Sequence, residues 1–229
     1  MGNGKWNTEN DMIIAIDGPA GSGKSTLGRM LARALKLLYI DTGSMYRAVA
    51  LATIDAALDP GNIKAVTDLA ESVDINLEGD PDSLRVWLEG RDVTERIRED
   101  DITDMSSIVS TIPGVRRAMV ARQREMGKRG AVMNGRDIGT VVFPDADIKF
   151  FLDAAAAERA ERRYKEDLLV NPGATLAQTL AEITERDFRD STRADSPLKI
   201  ASDAIVIDST GLSIQSVFER MMEHVHRNH

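Results

Sequence analysis

Residues 18–25 read Gly-Pro-Ala-Gly-Ser-Gly-Lys-Ser, which matches the pattern G-x-x-x-x-G-K-[ST] at every fixed position. This pattern is typical of a loop whose backbone N–H groups surround phosphate groups. Lys24 would place its charge beside the β- and γ-phosphates of a triphosphate, and Ser25 would offer its hydroxyl to Mg²⁺. The predicted nucleotide-binding residues are Gly18, Pro19, Ala20, Gly21, Ser22, Gly23, Lys24, Ser25 and Thr26.

The sequence on both sides of this phosphate loop (residues 18–25) supports the interpretation. Residues 12–16 form a short apolar run rich in β-branched side chains, as in a buried parallel strand. The residues after the loop have apolar side chains at helical spacing, namely Leu27, Met30, Leu31, Ala34 and Leu35. An ordinary glycine-rich turn is the alternative, but the order strand, loop, helix favours an anion site at the helix N-terminus.

Composition places the chain among globular proteins. Its 229 residues are 42% hydrophobic and 29% charged, enough for one domain with a full core. The net charge of −8 argues against nucleic-acid binding, and no apolar run approaches the roughly 18 residues of a membrane span. We expect a flexible N-terminal tail over residues 1–11. The chain has no cysteine, which is consistent with the reducing cytoplasm.

The three histidines lie in the last six residues, at positions 224, 226 and 229. Two of them could bind a metal loosely, but a frayed polar tail is the favoured interpretation. No histidine is therefore placed to act as a general base in the body of the chain.

Downstream of the phosphate loop the pattern is that of a parallel α/β sheet with one interruption. Further buried strands are predicted at residues 36–40, 131–133, 148–152 and 204–208. Residues 41–47 are predicted as a turn with capping residues that leads into a helix through about residue 57, and further helices are predicted at 63–72, 101–110, 115–126, 154–167, 176–190 and 213–226. Residues 73–77 and 84–88 alternate with period two, and residues 89–92 carry a turn signal. These segments predict a small antiparallel sheet inserted into the parallel fold.

Two further features suggest where ligands bind. Residues 134–140 form a polar, glycine-bearing loop after a predicted strand, so they should face the same crevice as the phosphate loop. Arg159, Arg162 and Arg163 share one helix face, and Arg186, Asp190 and Arg193 share another. Solvated helices carrying salt bridges would look similar. Beside a triphosphate site, however, such arginines suit phosphoryl transfer.

Four segments together resemble the bacterial cytidylate kinases: the phosphate loop, residues 41–47 (DTGSMYR), residues 135–144 (GRDIGTVVFP) and residues 185–193 (ERDFRDSTR). The resemblance implies the nucleoside monophosphate kinase fold, a parallel sheet flanked by helices with a small antiparallel β insert and a helical lid. It implies a single domain over residues 12–229, with a monophosphate-binding lobe at about 62–103 and a lid at about 159–190. It also implies a monomer that uses ATP and Mg²⁺ to phosphorylate CMP or dCMP.

The same resemblance implies a role for each matching residue. Ser25 would bind the metal, Arg47 and Arg136 would hold the CMP phosphate, and Ser107, Arg116 and Asp137 would face the base. Asp137 could accept from the N4 amino group of cytosine, whereas uracil has an oxygen there. The implied catalytic residues are Lys24, Arg136, Arg159, Arg163 and Arg186, and the implied substrate-binding residues are Thr42, Arg47, Ser107, Arg116, Arg136, Asp137, Arg186, Asp190 and Arg193.

Two alternatives stay open from the sequence. The same core could phosphorylate UMP, AMP or a small metabolite. The chain could instead be a nucleotide-binding switch without kinase activity. Guanine-specific switches usually carry an Asn/Thr-Lys-x-Asp segment, and none occurs here.

Overall fold

The structure, a computed structural model, describes residues 11–168 and 171–227. Within these residues eight strands and eight α-helices follow one another in a largely alternating order. In chain order they are β1 (Ile13–Asp17), α1 (Lys24–Leu35), β2 (Leu38–Asp41), α2 (Thr42–Asp55), α3 (Ile63–Ser72), β3 (Ile75–Glu78), β4 (Arg85–Leu88), β5 (Arg91–Asp92), α4 (Asp100–Val109), α5 (Pro113–Gly127), β6 (Ala131–Gly135), β7 (Ile148–Asp153), α6 (Ala156–Asp167), α7 (Leu176–Thr192), β8 (Ile205–Asp208) and α8 (Ile214–Arg227).

The centre of the molecule is a five-stranded parallel sheet in the order β2-β6-β1-β7-β8. Strand β1 lies in the middle, and its residues Ile14, Ala15 and Ile16 are fully buried because helices cover both faces of the sheet. All five strands point the same way, so their carboxyl ends share one edge. This confirms the predicted α/β class and places the phosphate loop and the end of β6 side by side.

The predicted antiparallel insert is present, with one more strand than expected. Strands β3, β4 and β5 form a separate three-stranded antiparallel sheet. Arg91 and Asp92 were predicted as part of a turn, but they pair with Leu88 and Trp87 and form the third strand. Only Glu89 and Gly90 make the connection, because both adopt a positive φ and reverse the chain within two residues.

Helix α1 buries a somewhat different face from the predicted stripe. Leu27 and Leu31 are fully buried as expected, but Ala34 is exposed, and Gly28 and Ala32 take its place in the core. A side chain at Gly28 would bring its Cβ to 2.9 Å from the ring of Tyr39 on β2. The helix therefore approaches the sheet through its smallest residue, and Ala34 turns toward solvent.

Helix α5 begins earlier than predicted. Residues Pro113 and Gly114 were expected to interrupt the helical pattern, but they form the first turn of α5. Proline is tolerated there because an N–H group in the first turn would have no partner within the helix. A Cβ on Gly114 would lie 2.3 Å from the side chain of Thr67 on α3. Gly114 thus permits close contact between the two helices.

The C-terminal helix is better ordered than the predicted frayed tail. Helix α8 continues to Arg227, and its residues Val217, Met221 and Val225 are buried against the sheet. The ring of His224 packs edge-on against Phe150, with 6.4 Å between ring centroids. The prediction of a frayed end was therefore wrong at positions 224 and 226, because the apolar stripe of the helix continues to Val225. His229 and the tail over residues 1–10 lie outside the described residues.

Two features are absent from the part of the chain that the structure describes. No helix within residues 11–168 and 171–227 has both the length and the apolar character of a membrane span. No group of three or more His, Cys, Asp or Glu side chains in the same ranges could hold a metal ion.

Candidate functional site

The phosphate loop leaves β1 and turns tightly into α1. Gly18 has a φ of 148°, and a Cβ there would come within 2.0 Å of the carbonyl oxygen of Leu152. Gly21 has a φ of 73° and lies against the backbone of Arg159 on α6. Both positions exclude larger residues. Because α1 begins at Lys24, its free N–H groups and partial positive charge point into the loop.

Lys24 is buried inside this loop. Its Nζ donates to the carbonyl oxygen of Pro19 at 2.5 Å and to the Ser22 hydroxyl at 3.3 Å. Burial holds the pKa of Lys24 well below its ordinary value, and the charges of Arg136 and Arg186 lower it further. An anion in the loop would relieve both effects, since it would pair with the ammonium group and offset the neighbouring cations.

A second polar cluster lies beyond the end of β6. Arg116, on α5, is 1% exposed and donates from Nη2 to Asp137 Oδ2 at 2.5 Å. Its guanidinium carbon lies 5.4 Å from the centre of the Tyr46 ring, a cation–π distance. The other carboxylate oxygen of Asp137 is 3.7 Å from Arg193 Nη2, which is too long for a hydrogen bond. One oxygen of Asp137 therefore keeps its capacity to accept.

The C-terminal half of α7 reaches the same cluster. Arg136 Nε donates to Asp190 Oδ2 at 2.8 Å, and Arg193 Nη1 donates to Asp190 Oδ1 at 3.2 Å. The cations around it hold the pKa of Asp190 below its ordinary value, although burial acts the other way and is the largest single effect. Asp190 thus bridges two arginines and joins α7 to the loop after β6.

Four arginines lie close to one another, and two of them, Arg136 and Arg186, act on the charge of Lys24. Burial lowers the pKa of Arg47, and Arg163 and Arg136 lower it further. Burial likewise lowers the pKa of Arg186, with repulsion from Arg136, Arg47 and Arg163 adding to it. In this arginine cluster (Arg47, Arg136, Arg163 and Arg186), Arg136 and Arg163 each pair with one carboxylate, whereas Arg47 and Arg186 have no salt-bridge partner among the described residues. The cluster therefore keeps an excess of positive charge, which favours binding of polyanions.

The arginines of the cluster differ in whether their side-chain donors already have a partner in the protein. Arg163 pairs with Asp167 on its own helix at 2.8 Å. The Nε atom of Arg47 is buried and has no hydrogen-bond partner among the described residues. An unpaired buried donor of this kind is costly, and a phosphate oxygen would satisfy it.

Arg159, a predicted catalytic residue, contacts the phosphate loop itself. Its Nη1 donates to the carbonyl oxygen of Ala20 at 2.9 Å and to Asp187 Oδ2 at 2.6 Å. The other oxygen of Asp187 accepts from the Ala20 backbone N–H at 3.3 Å. Arg159 and Asp187 therefore connect α6 and α7 to the tip of the phosphate loop. Asp187 was missed in the sequence because nothing in its spacing distinguishes it from a surface acid.

Two hydroxyl residues predicted to bind substrate make protein contacts. Thr42 Oγ1 donates to the Asn134 carbonyl oxygen at 2.8 Å, which joins α2 to the end of β6. Ser107 Oγ accepts from Arg189 Nη1 at 2.7 Å. Arg189 was not among the predicted site residues, although it lies in the same 185–193 segment as Arg186 and three positions after it.

The predicted metal site has the donor chemistry that Mg²⁺ prefers. Asn134 Nδ2 lies 3.2 Å from Ser25 Oγ and 3.4 Å from Asp41 Oδ1, so a hydroxyl and a carboxylate flank one amide. The Asn134 Oδ1 atom is buried without a hydrogen-bond partner among the described residues. The Ser25 hydroxyl, the Asp41 carboxylate and the Asn134 Oδ1 atom are hard oxygen donors, and together with phosphate oxygens they would fit Mg²⁺.

Together these features define a class of protein. A phosphate loop between a parallel strand and a helix faces an arginine cluster at the same sheet edge, which is the arrangement of a P-loop phosphotransferase.

The sequence comparisons name the family. Residues 14–227 match the family model described as cytidylate kinase, and the chain belongs to this family. The chain is 50% identical over 217 residues to the cytidylate kinase of Solibacter usitatus, a match covering 93% of this chain and 92% of that protein. It is 45% identical over 217 residues to the cytidylate kinase of Mycobacterium avium, covering 94% and 95%.

A solved structure agrees on the fold. An uncharacterized protein from Eubacterium ventriosum superposes with a TM-score of 0.50 over 94% of this chain and 98% of that chain, at 12% sequence identity. This likeness concerns the fold alone.

Proposed function

We propose that the protein transfers the terminal phosphoryl group of ATP to CMP or dCMP. The observation that carries the proposal is the arginine cluster: its members Arg136 and Arg186 act on the charge of Lys24 in the phosphate loop, and Arg136 directly precedes Asp137, the partner of Arg116. Membership of the cytidylate kinase family supports the same activity. Two nucleotides would then meet with their phosphates among the arginines and their bases at opposite ends.

On the donor side, residues 18–26 would hold the ATP phosphates. Lys24 would leave the Pro19 carbonyl oxygen and pair with the phosphates, and Ser25 would bind Mg²⁺ with Asn134 and Asp41 beside it. The ion would supply charge neutralisation for the transferring group.

On the acceptor side, Arg47, Arg136 and Arg186 would hold the CMP phosphate. The attacking oxygen of a nucleoside monophosphate is already anionic near neutral pH, so no general base is required. This agrees with the chain, whose three histidines are all C-terminal. Catalysis would consist of positioning and charge neutralisation, for which one well-placed arginine contributes about 10³ to 10⁵ in rate in related reactions.

The base would be recognised at Asp137 and Arg116. Asp137 Oδ1 lies 3.7 Å from Arg193 Nη2, which is too far for a hydrogen bond, so this oxygen would accept from the N4 amino group of cytosine. Arg116 would donate to the N3 and O2 atoms, and Ser107 and Arg193 would complete the contacts. UMP would set its O4 atom against the carboxylate, and a buried mismatch of this kind is strongly disfavoured.

Three further parts belong to the same proposal. The lid (residues 159–190) would close over the phosphates and exclude water, and the lobe over residues 62–103 would carry the acceptor. The enzyme would act as a monomer. Since its substrates are nucleotides of central metabolism, we place it in the cytoplasm, without nucleic-acid or membrane partners.

A coupled assay of ADP formation tests the proposal. We expect the highest kcat/KM for CMP and dCMP among the common monophosphates, with Mg-ATP as donor. Faster turnover of UMP, AMP or a small metabolite would contradict the acceptor assignment. Tight binding of GTP without phosphoryl transfer to any acceptor would indicate a nucleotide switch instead.

A further inference from the structure

Asp17 is a buried carboxylate that the proposed chemistry does not use. It is the last residue of β1, directly before Gly18, and only 4% of it is exposed. Burial raises the pKa of Asp17 to about 6, so ionisation of this side chain is less favourable in the folded protein than in water. An acid at such a position suggests a function that a neutral residue would not fulfil.

Both oxygens of Asp17 accept from the loop that follows β6. Oδ1 accepts from the Ile138 backbone N–H at 2.8 Å, and Oδ2 accepts from the Gly139 N–H at 2.7 Å. An ionised carboxylate can accept at both oxygens, whereas an asparagine would present a donor to one of the two amides. The contact therefore depends on the acid and not merely on its shape.

These hydrogen bonds fix the backbone on both sides of Arg136 and Asp137. Upstream, Gly135 pairs with Asp17 in the parallel register of β6 and β1. Downstream, the Ile138 amide belongs to the peptide bond that follows Asp137, and Asp17 holds it. Arg136 and Asp137 thus lie between two residues, Gly135 and Ile138, that are both attached to the end of β1.

The packing around Gly139 leaves the loop little room to move. A Cβ there would lie 3.1 Å from Lys149 Cδ and 3.4 Å from Asp17 Oδ2. The Lys149 ammonium group does not pair with Asp17, because it donates to both oxygens of Asp203 at 2.7 and 2.9 Å. The other charged neighbours of Asp17 are Asp137, which disfavours its ionised form, and Lys24, which favours it.

We propose that Asp17 is a positioning residue that fixes Arg136 and Asp137 relative to the phosphate loop and so sets the distance between acceptor and donor. The inference rests on the proposed function, because it assigns Arg136 and Asp137 to the acceptor site. It predicts that Asp17 governs CMP binding through the loop, without touching CMP.

The test compares CMP and ATP affinities of the purified full chain by isothermal titration calorimetry. For Asp17→Asn we expect the Kd for CMP to rise about tenfold or more and the Kd for ATP to change less than about threefold, since one of two buried acceptors is lost. Asp147→Asn is the matched control. Like Asp17, Asp147 accepts from a backbone amide, that of Ile13 at 2.7 Å, but this contact lies at the opposite end of β1.

A second variant displaces the loop from its other side. Gly139→Ala places a Cβ between Lys149 and Asp17, and we expect it to weaken CMP binding as well. In the double variant the two effects should combine less than multiplicatively, because both act on one contact.

Each outcome separates this inference from the proposed function. Equal loss of CMP and ATP affinity in a folded Asp17→Asn protein, or unchanged CMP affinity, would overturn the positioning role while wild-type activity stood. Wild-type protein that did not bind CMP would refute the proposed function itself, and the inference with it.

Discussion

Replacing Asp17 by asparagine should change how the stability of the protein depends on pH. Burial raises the pKa of this carboxyl from 3.8 to about 6 in the folded state, and asparagine does not titrate. The folded protein therefore holds a proton on Asp17 more tightly than the unfolded chain does. The stability that this proton contributes is complete below pH 3.8 and is lost as the pH rises through about 6.

The size of the effect follows from the pKa difference. A shift of about 2 units corresponds to about 3 kcal/mol over the whole range. Between pH 5 and pH 7.5 the wild type should lose about 1.4 kcal/mol through Asp17, because the folded-state group deprotonates in that interval. Asparagine also leaves one amide without an acceptor, which costs about 1–3 kcal/mol, but this cost does not vary with pH.

Urea denaturation of both proteins at pH 5 and pH 7.5 measures the effect. The free energy of unfolding of Asp17→Asn minus that of the wild type should increase by about 1.4 kcal/mol from the lower to the higher pH. The other carboxylates are present in both proteins, so their contributions cancel. A difference that stays constant, or that decreases with pH, would refute the assignment of a buried, hydrogen-bonded acid at position 17.

Three further predictions concern the proposed activity. Lys24→Ala should lower kcat by about 10²-fold or more while the Kd for CMP stays unchanged. Loss of the folded state of this variant, seen by circular dichroism, would instead show that the lysine has a structural role. Asp137→Ala should lower the ratio of kcat/KM for CMP over UMP at least about tenfold, and an unchanged ratio would remove Asp137 from base recognition. Asp187→Asn should raise the KM for ATP several-fold and leave that for CMP unchanged, because Asp187 contacts the Ala20 backbone. Equal changes in both KM values would contradict this local role.

The phosphate loop and the parallel sheet could be predicted because the information is local. Fixed glycines, one lysine and the flanking apolar patterns lie within about twenty residues and each has a direct structural meaning. The third strand of the insert was missed because it is only two residues long and both of them, Arg91 and Asp92, are polar. Their pairing depends on β4 rather than on their own propensity.

The contacts that position the site could not be predicted. Asp17 accepts from amides 121 and 122 residues away, and a backbone N–H has no sequence signature. The helical spacing of Arg159 indicated which face it shares, but not that it donates to the Ala20 carbonyl 139 residues earlier. Such hydrogen bonds depend on how the strands and helices pack, so they become visible only in the folded chain.

The most direct test is a crystal structure with CMP and a non-hydrolysable ATP analogue. We predict the analogue's phosphates in the loop of residues 18–25, the CMP phosphate among Arg47, Arg136 and Arg186, and the cytosine N4 atom within about 3.2 Å of Asp137. A pyrimidine bound away from Asp137, or phosphates that avoid the glycine-rich loop, would contradict the account.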